Sequence, residues 1–527
     1  LQAARIATAW VVGVLFVGLF LGPGVLADRL AAWLPGTQAG PALFRFLTVG
    51  SLAGGLVVTA VAGVSLLGGR LYCAAWCPLG VLQDTLGFLL LRVRPLRRWR
   101  ERRGVGVFPV GRRRWVRWGV LGLTAGTAAL GSWLLFALLE PYGAFGRLAV
   151  HLGSPVSAAF CRGVSSLLER FDVFALSAPT AAPPAALATT VTGAFLVGLG
   201  ALVAAGGRLY CTTVCPVGTC LGLLAQTAPL RVRVDAGACT GCGLCVRRCR
   251  SSCIEKGPGG ARVDPAACVL CMDCLAACPT GAVRYGPAVS APPVVPRASS
   301  ARRELLAAGA SVLVAAAARP LRGLSGEDPR ARAVAGPVSP PGSGDRERFT
   351  SRCTACQLCV RACPTHVLQS ATFEYGLGGL LQPRLSFRHG FCEYDCQRCT
   401  AVCPTGALLP LDLGEKQRTQ LGVVRLYKDR CIVYCRGEEC GACVEVCPTH
   451  AVYSHDVEGL LCPEIAPGSC IGCGACEFAC PVGPKAIEVH ASTVHGRAAP
   501  PHAVDTPARP MTTPPAGGTS SDSGFPF

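Results

Sequence analysis

The sequence predicts a membrane α-helical domain followed by two small α+β modules. Three features predict it: four long apolar stretches in the first half, an arginine block between the second and third, and cysteines gathered into repeated runs. The chain has 527 residues, of which 51% are hydrophobic, and a formal net charge of +19. Several domains are expected at that length. The chain opens at Leu1 rather than methionine, so residues upstream of it are expected.

The apolar stretches lie at roughly 7–26, 46–67, 118–139 and 185–205, each long enough for a transmembrane helix. Eleven arginines crowd into 92–117, between the second stretch and the third. A basic block between two apolar spans marks a cytoplasmic loop. That distribution also argues against nucleic acid as the partner of the positive charge, because no folded module interleaves aromatic and basic residues. By alternation the loop at 140–184 falls outside; its only basic residues are Arg147, Arg162 and Arg170. The four-helix domain is expected over 1–230.

The 33 cysteines sort by spacing. Cys470, Cys473, Cys476 and Cys480-Pro481 form C-x-x-C-x-x-C-x-x-x-C-P, the bacterial ferredoxin run that wraps a [4Fe–4S] cluster. Cys353, Cys356, Cys359 and Cys363-Pro364 repeat it, as do Cys268, Cys271, Cys274 and Cys278-Pro279. Cys239, Cys242, Cys245 and Cys249 keep the spacing, but Arg250 replaces the proline and Cys253 follows, so either Cys249 or Cys253 is the fourth ligand. Cys392, Cys396, Cys399 and Cys403 carry one extra residue in the first gap. Cys431, Cys440, Cys443 and Cys447 are stretched, with Cys435 as a rival to Cys431. In paired runs the fourth cysteine serves the other cluster, so runs fold in pairs. These 24 cysteines are the expected iron ligands of about six [4Fe–4S] clusters. They define a two-cluster module at 231–290 and a four-cluster module at 347–490, both α+β and ferredoxin-like. Structural zinc competes, yet zinc sites separate their pairs by a longer loop. Disulfide scaffolding belongs to small secreted domains rather than to a chain of this length. Cys462 has no partner at motif spacing and reads as a buried apolar residue.

Two further motifs repeat within the helical domain. Gly69-Arg70-Leu71-Tyr72-Cys73 and Gly207-Arg208-Leu209-Tyr210-Cys211 each continue to a second cysteine, Cys77-Pro78 and Cys215-Pro216. An internal repeat at matched depth, on the cytoplasmic side, predicts two helix ends side by side. Cys73, Cys77, Cys211 and Cys215 are therefore candidate redox thiols that bind a metal or cycle between dithiol and disulfide; the alternative is a pair of inert turns. None of the eight histidines lies in a predicted membrane helix, and no C-x-x-C-H occurs, which excludes bis-histidine and c-type haem. No nucleotide-binding glycine motif is present. Glu140-Pro141-Tyr142-Gly143 is a polar turn placed to touch a quinol head group or simply to cap a helix.

Residues 291–346 read as a linker containing Arg302-Arg303 and a short apolar run at 304–318. This segment resembles a twin-arginine export signal; a fifth membrane helix or a hinge is the alternative. The tail at 491–527 reads as disordered.

On the Gly69–Asp84 motif, the Pro141–Arg147 turn, Gly207–Gly218 and the first two cysteine runs, residues 1–290 resemble the NapH/MauN type of membrane ferredoxin protein. On Phe391–Cys396 and Cys470–Glu477, residues 301–490 look like the NapG/MauM type of four-cluster ferredoxin. Alternation from the arginine block puts the first module on the cytoplasmic side of a multi-pass protein of the cytoplasmic (inner) membrane, and the twin-arginine-like segment puts the second in the periplasm. The resemblance implies a quinol dehydrogenase-like component passing electrons from membrane quinol to a periplasmic cytochrome or reductase. The alternative is a maturation protein that reduces or handles copper, since paired thiolates suit Cu(I).

Overall fold

The structure, a computed structural model, describes residues 2–22, 24–90, 92–96, 110–172, 185–257, 260–287, 333–334 and 336–501. The arginine pair 302–303 and the apolar run 304–318 lie outside the described residues.

The first half is a bundle of helices. Helix α1 (Gln2–Leu21) runs its full length without a break. α2 (Gly24–Ala31) packs back on α1, and α3 (Ala39–Val49) pairs with α4 (Leu52–Gly68). The expected span 46–67 is thus divided. Gly50 takes a left-handed φ of +67° and closes α3, and Ser51 caps α4 by accepting from the Gly54 N–H. α5 (Leu71–Ala75) and α6 (Pro78–Leu90) carry the first Cys-Pro motif. The expected span 118–139 is also divided: α7 (Val110–Ala129) starts inside the arginine block, the chain turns at Gly131 with φ +83°, and α8 (Leu134–Leu139) resumes. The presumed outer loop is largely helical, as α9 (Pro141–Leu148) and α10 (Ser154–Glu169) joined by a π-helical turn. α11 (Ala186–Gly206) and α12 (Pro216–Ala225) complete the bundle. Among the described residues two helices, α1 and α11, are long and apolar enough to cross a membrane by length and composition; α4 is shorter at 17 residues. Of the four expected spans, two are matched by helices of full length and apolarity among the described residues.

The first cysteine module pairs β1 (Leu230–Val234) with β4 (Val283–Pro287), antiparallel, around a hairpin of β2 (Ile254–Gly257) and β3 (Gly260–Val263). One short helix follows each run, α13 (Leu244–Arg248) and α14 (Asp273–Ala277). The module sits where α1 begins. Gln2 Nε2 donates to Asp273 Oδ1 at 2.9 Å, and the Tyr285 hydroxyl donates to the Gly68 carbonyl at 3.0 Å.

The second module packs at the other end of α1. There the Arg361 guanidinium donates to the carbonyls of Phe20 and Gly22 at 2.9 and 2.6 Å. Phe16, Phe20, Tyr142 and Phe145 meet edge to face or tilted, with ring centroids about 6 Å apart, and share one apolar core with Cys356 and Cys359. Gly146 permits this approach, because a Cβ there would stand 2.1 Å from the Cys356 carbonyl oxygen.

The second module also reaches beyond its expected limits on both sides. Residues 491–497, expected in the tail, belong to β7 (Ile487–Arg497), which pairs antiparallel with β6 (Thr419–Leu426) and with β5 (Ala333–Val334). The alternation of Ile487, Val489 and Ala491 continues the buried face past the last cysteine run. Residues 336–346, expected in the linker, pack here too: Ser339 Oγ lies 2.9 Å from His495 Nε2, and Val338 bridges to Leu385.

Burial lowers the pKa of His495 from 6.5 to about 4, against the opposing pull of Asp345. Between those values the unfolded chain binds a proton that the folded chain refuses, so stability falls as pH falls through that window. We expect the thermal midpoint of the second module to drop on acidification from pH 7 to 5, and His495→Gln to flatten that dependence. An unaltered slope in the variant would remove His495 as its source.

Candidate functional site

Each long helix that carries a Cys-Pro repeat ends on a glycine with positive φ, Gly69 at +87° and Gly207 at +69°. That conformation favours glycine and reverses the chain into Arg-Leu-Tyr-Cys. The second cysteine of each repeat then opens a helix with proline in its first turn, a position where a missing N–H costs nothing. Cys215 Sγ accepts from the Gly218 N–H at 3.2 Å. Gly80 and Gly218 lie so near the carbonyls of Cys73 and Cys211 that a Cβ would come within 2.6 and 2.4 Å of them.

The two repeats face each other and exchange arginines. Arg70 Nη2 donates to the Cys211 carbonyl at 2.6 Å, and Arg208 Nη1 donates to the Cys73 carbonyl. Both guanidinium groups are fully buried. Arg208 is held by Asp84 through two bonds, Nε to Oδ1 at 2.9 Å and Nη2 to Oδ2 at 2.7 Å. Arg5 and Arg250 also reach Asp84, each at 3.2 Å. The structure therefore brings Cys73, Cys77, Cys211 and Cys215 together, all buried and within electrostatic reach of one another. Gln83 Nε2 donates to Cys211 Sγ at 3.1 Å.

The soluble runs interleave. Cys239, Cys242 and Cys245 line one cavity of about 400 Å³ with Cys278, the last cysteine of the other run. Cys268, Cys271 and Cys274 gather with Cys249. In the second module Cys353, Cys356 and Cys359 gather with Cys403, and Cys392, Cys396 and Cys399 line a cavity with Cys363. Cys470, Cys473 and Cys476 gather with Cys447, and Cys431, Cys440 and Cys443 line a cavity with Cys480. This exchange of the fourth cysteine is the arrangement that paired cubane runs require. Among the described residues no three Cys, His, Asp or Glu side chains converge closely enough for a single metal ion. Thiolates around a four-iron cubane stand farther apart than thiolates on one ion, so these groups suit a cluster.

The rivals Cys431 and Cys435 separate by position. Cys435 is exposed and points to the carbonyls of Lys428 and Asp429, away from the cavity that Cys431 lines. Cys253 lies 3.5 Å from Cys249, and its N–H donates to Cys249 Sγ at 3.3 Å. Cys253 also hydrogen-bonds to Cys268, so Cys249 and Cys253 both lie against the Cys268 group, and their mutual hydrogen bonding lowers the pKa of the Cys249 thiol. Cys462 is buried in the apolar core of the second module.

Sequence reasoning missed the role of Arg250. Its carbonyl accepts from the Arg208 N–H at 2.7 Å, and its side chain joins Asp84 to Asp273. The residue that departs from Cys-Pro is the one that ties the first module to the bundle. The odd residue after Cys249 was the available signal.

Fold and sites together define a protein built of repeated [4Fe–4S]-binding units. Residues 238–282, 352–407 and 431–484 match the 4Fe-4S dicluster domain, and residues 51–97 and 188–234 match a 4Fe-4S binding domain. The ferredoxin-type protein NapF of Escherichia coli is 30% identical over 154 residues, covering 29% of this chain and 85% of that protein. The methylamine utilization ferredoxin-type protein MauM of Methylorubrum extorquens is 33% identical over 205 residues, 36% of this chain and 89% of that one. The ferredoxin-type protein NapG of Escherichia coli is 30% identical over 170 residues, 30% and 72%. No solved structure matches the chain. The chain belongs to the family of ferredoxin-type iron–sulfur electron-transfer proteins.

Cys431→Ser should cost the anaerobically purified protein one cluster, about four irons, by iron and acid-labile sulfide analysis. Cys435→Ser and Cys462→Ser should leave the iron content unchanged; a loss in Cys435→Ser equal to that in Cys431→Ser would reverse the assignment.

Proposed function

We propose that this chain is a membrane-bound relay that takes electrons from membrane quinol and delivers them to a periplasmic cytochrome or reductase. In this reading it joins a NapH/MauN-like half to a NapG/MauM-like half in one multi-pass protein of the cytoplasmic membrane. About six [4Fe–4S] clusters, held by the 24 cysteines of the soluble runs, supply single-electron carriage with potentials tuned by hydrogen bonding and exposure.

One observation supports the reading above the others. The two cysteine modules dock at opposite ends of the same helix, which spans about 30 Å at 20 residues. That length matches the hydrocarbon core of a bilayer. Large apolar side chains face outward between the modules: Trp10 and Val14 on α1, Leu56 on α4, Leu123 on α7 and Val197 on α11. An outward belt of this kind suits lipid rather than water. With 92–117 on the cytoplasmic side, the first module is cytoplasmic and the second is periplasmic, and α2, α3, α8 and α9 are too short to add spans.

The quinol end of the proposal rests on polar groups inside the bundle. Glu140 is buried and caps α9 by accepting from the N–H groups of Tyr142 and Gly143. The hydroxyl of Tyr72 donates to Gln38 Oε1 at 2.9 Å, and that of Tyr210 to the Leu139 carbonyl at 2.7 Å. These tyrosines stand beside the paired thiols and give a quinol's departing protons a polar environment. The second reading, copper handling, is favoured by the same four buried thiols, which are soft ligands suited to Cu(I).

Replacing Cys77 and Cys215 by serine should abolish reduction of the soluble clusters by quinol while those clusters remain assembled. Turnover equal to that of the wild type would leave the paired motifs with a purely architectural role. Protease added to intact spheroplasts should cut within the second module and spare the first. Protection of both would put the whole relay on one side and end the periplasmic-acceptor reading.

A further inference from the structure

Tyr142, on α9 of the helical bundle, has no protein partner for its hydroxyl. The side chain is 0% exposed, and its Oη is buried without a hydrogen bond. A hydroxyl so placed is costly unless something accepts from it. The rings of Phe16 and Phe20 pack against it with centroids 6.1 and 6.0 Å away, and neither offers a lone pair. Glu140, on the same turn, is occupied with the backbone N–H groups of Tyr142 and Gly143.

The surroundings of that hydroxyl are a cysteine group of the second module. It lies within electrostatic reach of Cys356, Cys403 and Cys359, and Tyr142 shares one apolar core with Cys356 and Cys359. Helix α9 is held against this run by close backbone approach. A Cβ on Gly143 would stand 3.0 Å from the Thr354 carbonyl oxygen, and Gly146 meets the Cys356 carbonyl. Arg147, from the same helix, donates to the Thr354 carbonyl at 3.4 Å. Thr354 Oγ1, between Cys353 and Cys356, is likewise buried without a partner. The contact between bundle and module thus carries two unanswered hydroxyls beside four cysteines. Those cysteines fall within residues 352–407, which match the 4Fe-4S dicluster domain. The sulfurs of a cluster there are anionic acceptors, the kind that a buried O–H lacks here.

We propose that Tyr142 donates its hydroxyl to a sulfur of the cluster held by Cys353, Cys356, Cys359 and Cys403, and thereby raises the reduction potential of that one cluster. Reduction adds one negative charge, which is spread over the cluster sulfurs. A donor therefore stabilises the reduced form more than the oxidised form. The residue that sets the potential comes from the bundle, so the poise of this cluster depends on the docking of the second module. Neither quinol nor the sidedness of the modules enters this contact, and the role of Tyr142 goes beyond the relay proposed above.

The test is a titration of the full chain, purified anaerobically, with soluble redox mediators and EPR detection. Tyr142→Phe should keep the iron and acid-labile sulfide of the wild type, while one cluster signal moves to a lower midpoint potential. Cys403→Ser should alter that same signal. A 3-fluorotyrosine placed at position 142 is a stronger donor of nearly the same shape, and should move the signal upward. Potentials in Tyr142→Phe equal to the wild type for every cluster overturn the proposal. So does a shift confined to a signal that Cys403→Ser leaves unchanged. Where Tyr142→Phe loses iron, the fluorinated protein decides, and the absence of an upward shift overturns the proposal. Mediators take the place of quinol, so a failure of quinol oxidation would leave this result standing.

Discussion

Two arginines buried where the repeats cross hold the rest of the molecule in place. Arg70 and Arg208 each reach across to the backbone of the opposite repeat, so neither Cys-Pro turn can move without the other. The same two residues also contact the first module. Arg70 contacts the first module at Ala266, and the Arg208 backbone contacts it at Arg250. Asp84 gathers Arg5, Arg208 and Arg250 into one ion-pair network, joining the first helix, both repeats and the soluble module. Buried charge is destabilising unless closely paired, so this network demands a single arrangement. Removal of Asp84 leaves the buried Arg208 without its carboxylate.

The opposite face is joined by different physics. Aromatic rings from α1 and α9 press against the cysteine core of the second module, with few charges. His151, Ser370 and Gln357 make a buried polar chain across this contact, His151 Nε2 to Ser370 Oγ at 3.2 Å and Ser370 to Gln357 Oε1 at 2.9 Å. Arg147 adds bonds to the Ala137 and Leu138 carbonyls and reaches the Thr354 carbonyl at 3.4 Å. Within the second module the groups of cysteines adjoin in turn. The Cys392 N–H donates to the Cys473 carbonyl at 2.9 Å, which ties two of the groups to each other.

Much of this was legible in the cysteine spacing, because a cubane fixes how far apart its ligands stand along the chain. The pairing of runs followed from the same constraint. What spacing does not carry is long-range geometry. Arg250 looked like a defect in a motif and is a docking residue. Gly146 looked like part of a turn and is the point where two backbones meet. Hydropathy does not show the breaks at Gly50 and Gly131, where a left-handed residue divides a helix inside an apolar run. The end of the second module was read too short for a related reason. Cysteine runs drew the boundary, while the sheet that completes the fold continues through Val494 and Arg497.

The central claim is that the two modules, fixed to opposite ends of one helical bundle, lie on opposite sides of a membrane. Thiol labelling tests it directly. Cys435 is exposed on the second module and lies outside the cysteine groups, and Arg284 is exposed on the first and accepts a cysteine in its place. A membrane-impermeant maleimide added to intact spheroplasts of the Arg284→Cys variant should label Cys435 at once, and position 284 only after permeabilisation, as read by peptide mass. Labelling of both positions, or of neither, before permeabilisation would contradict the account.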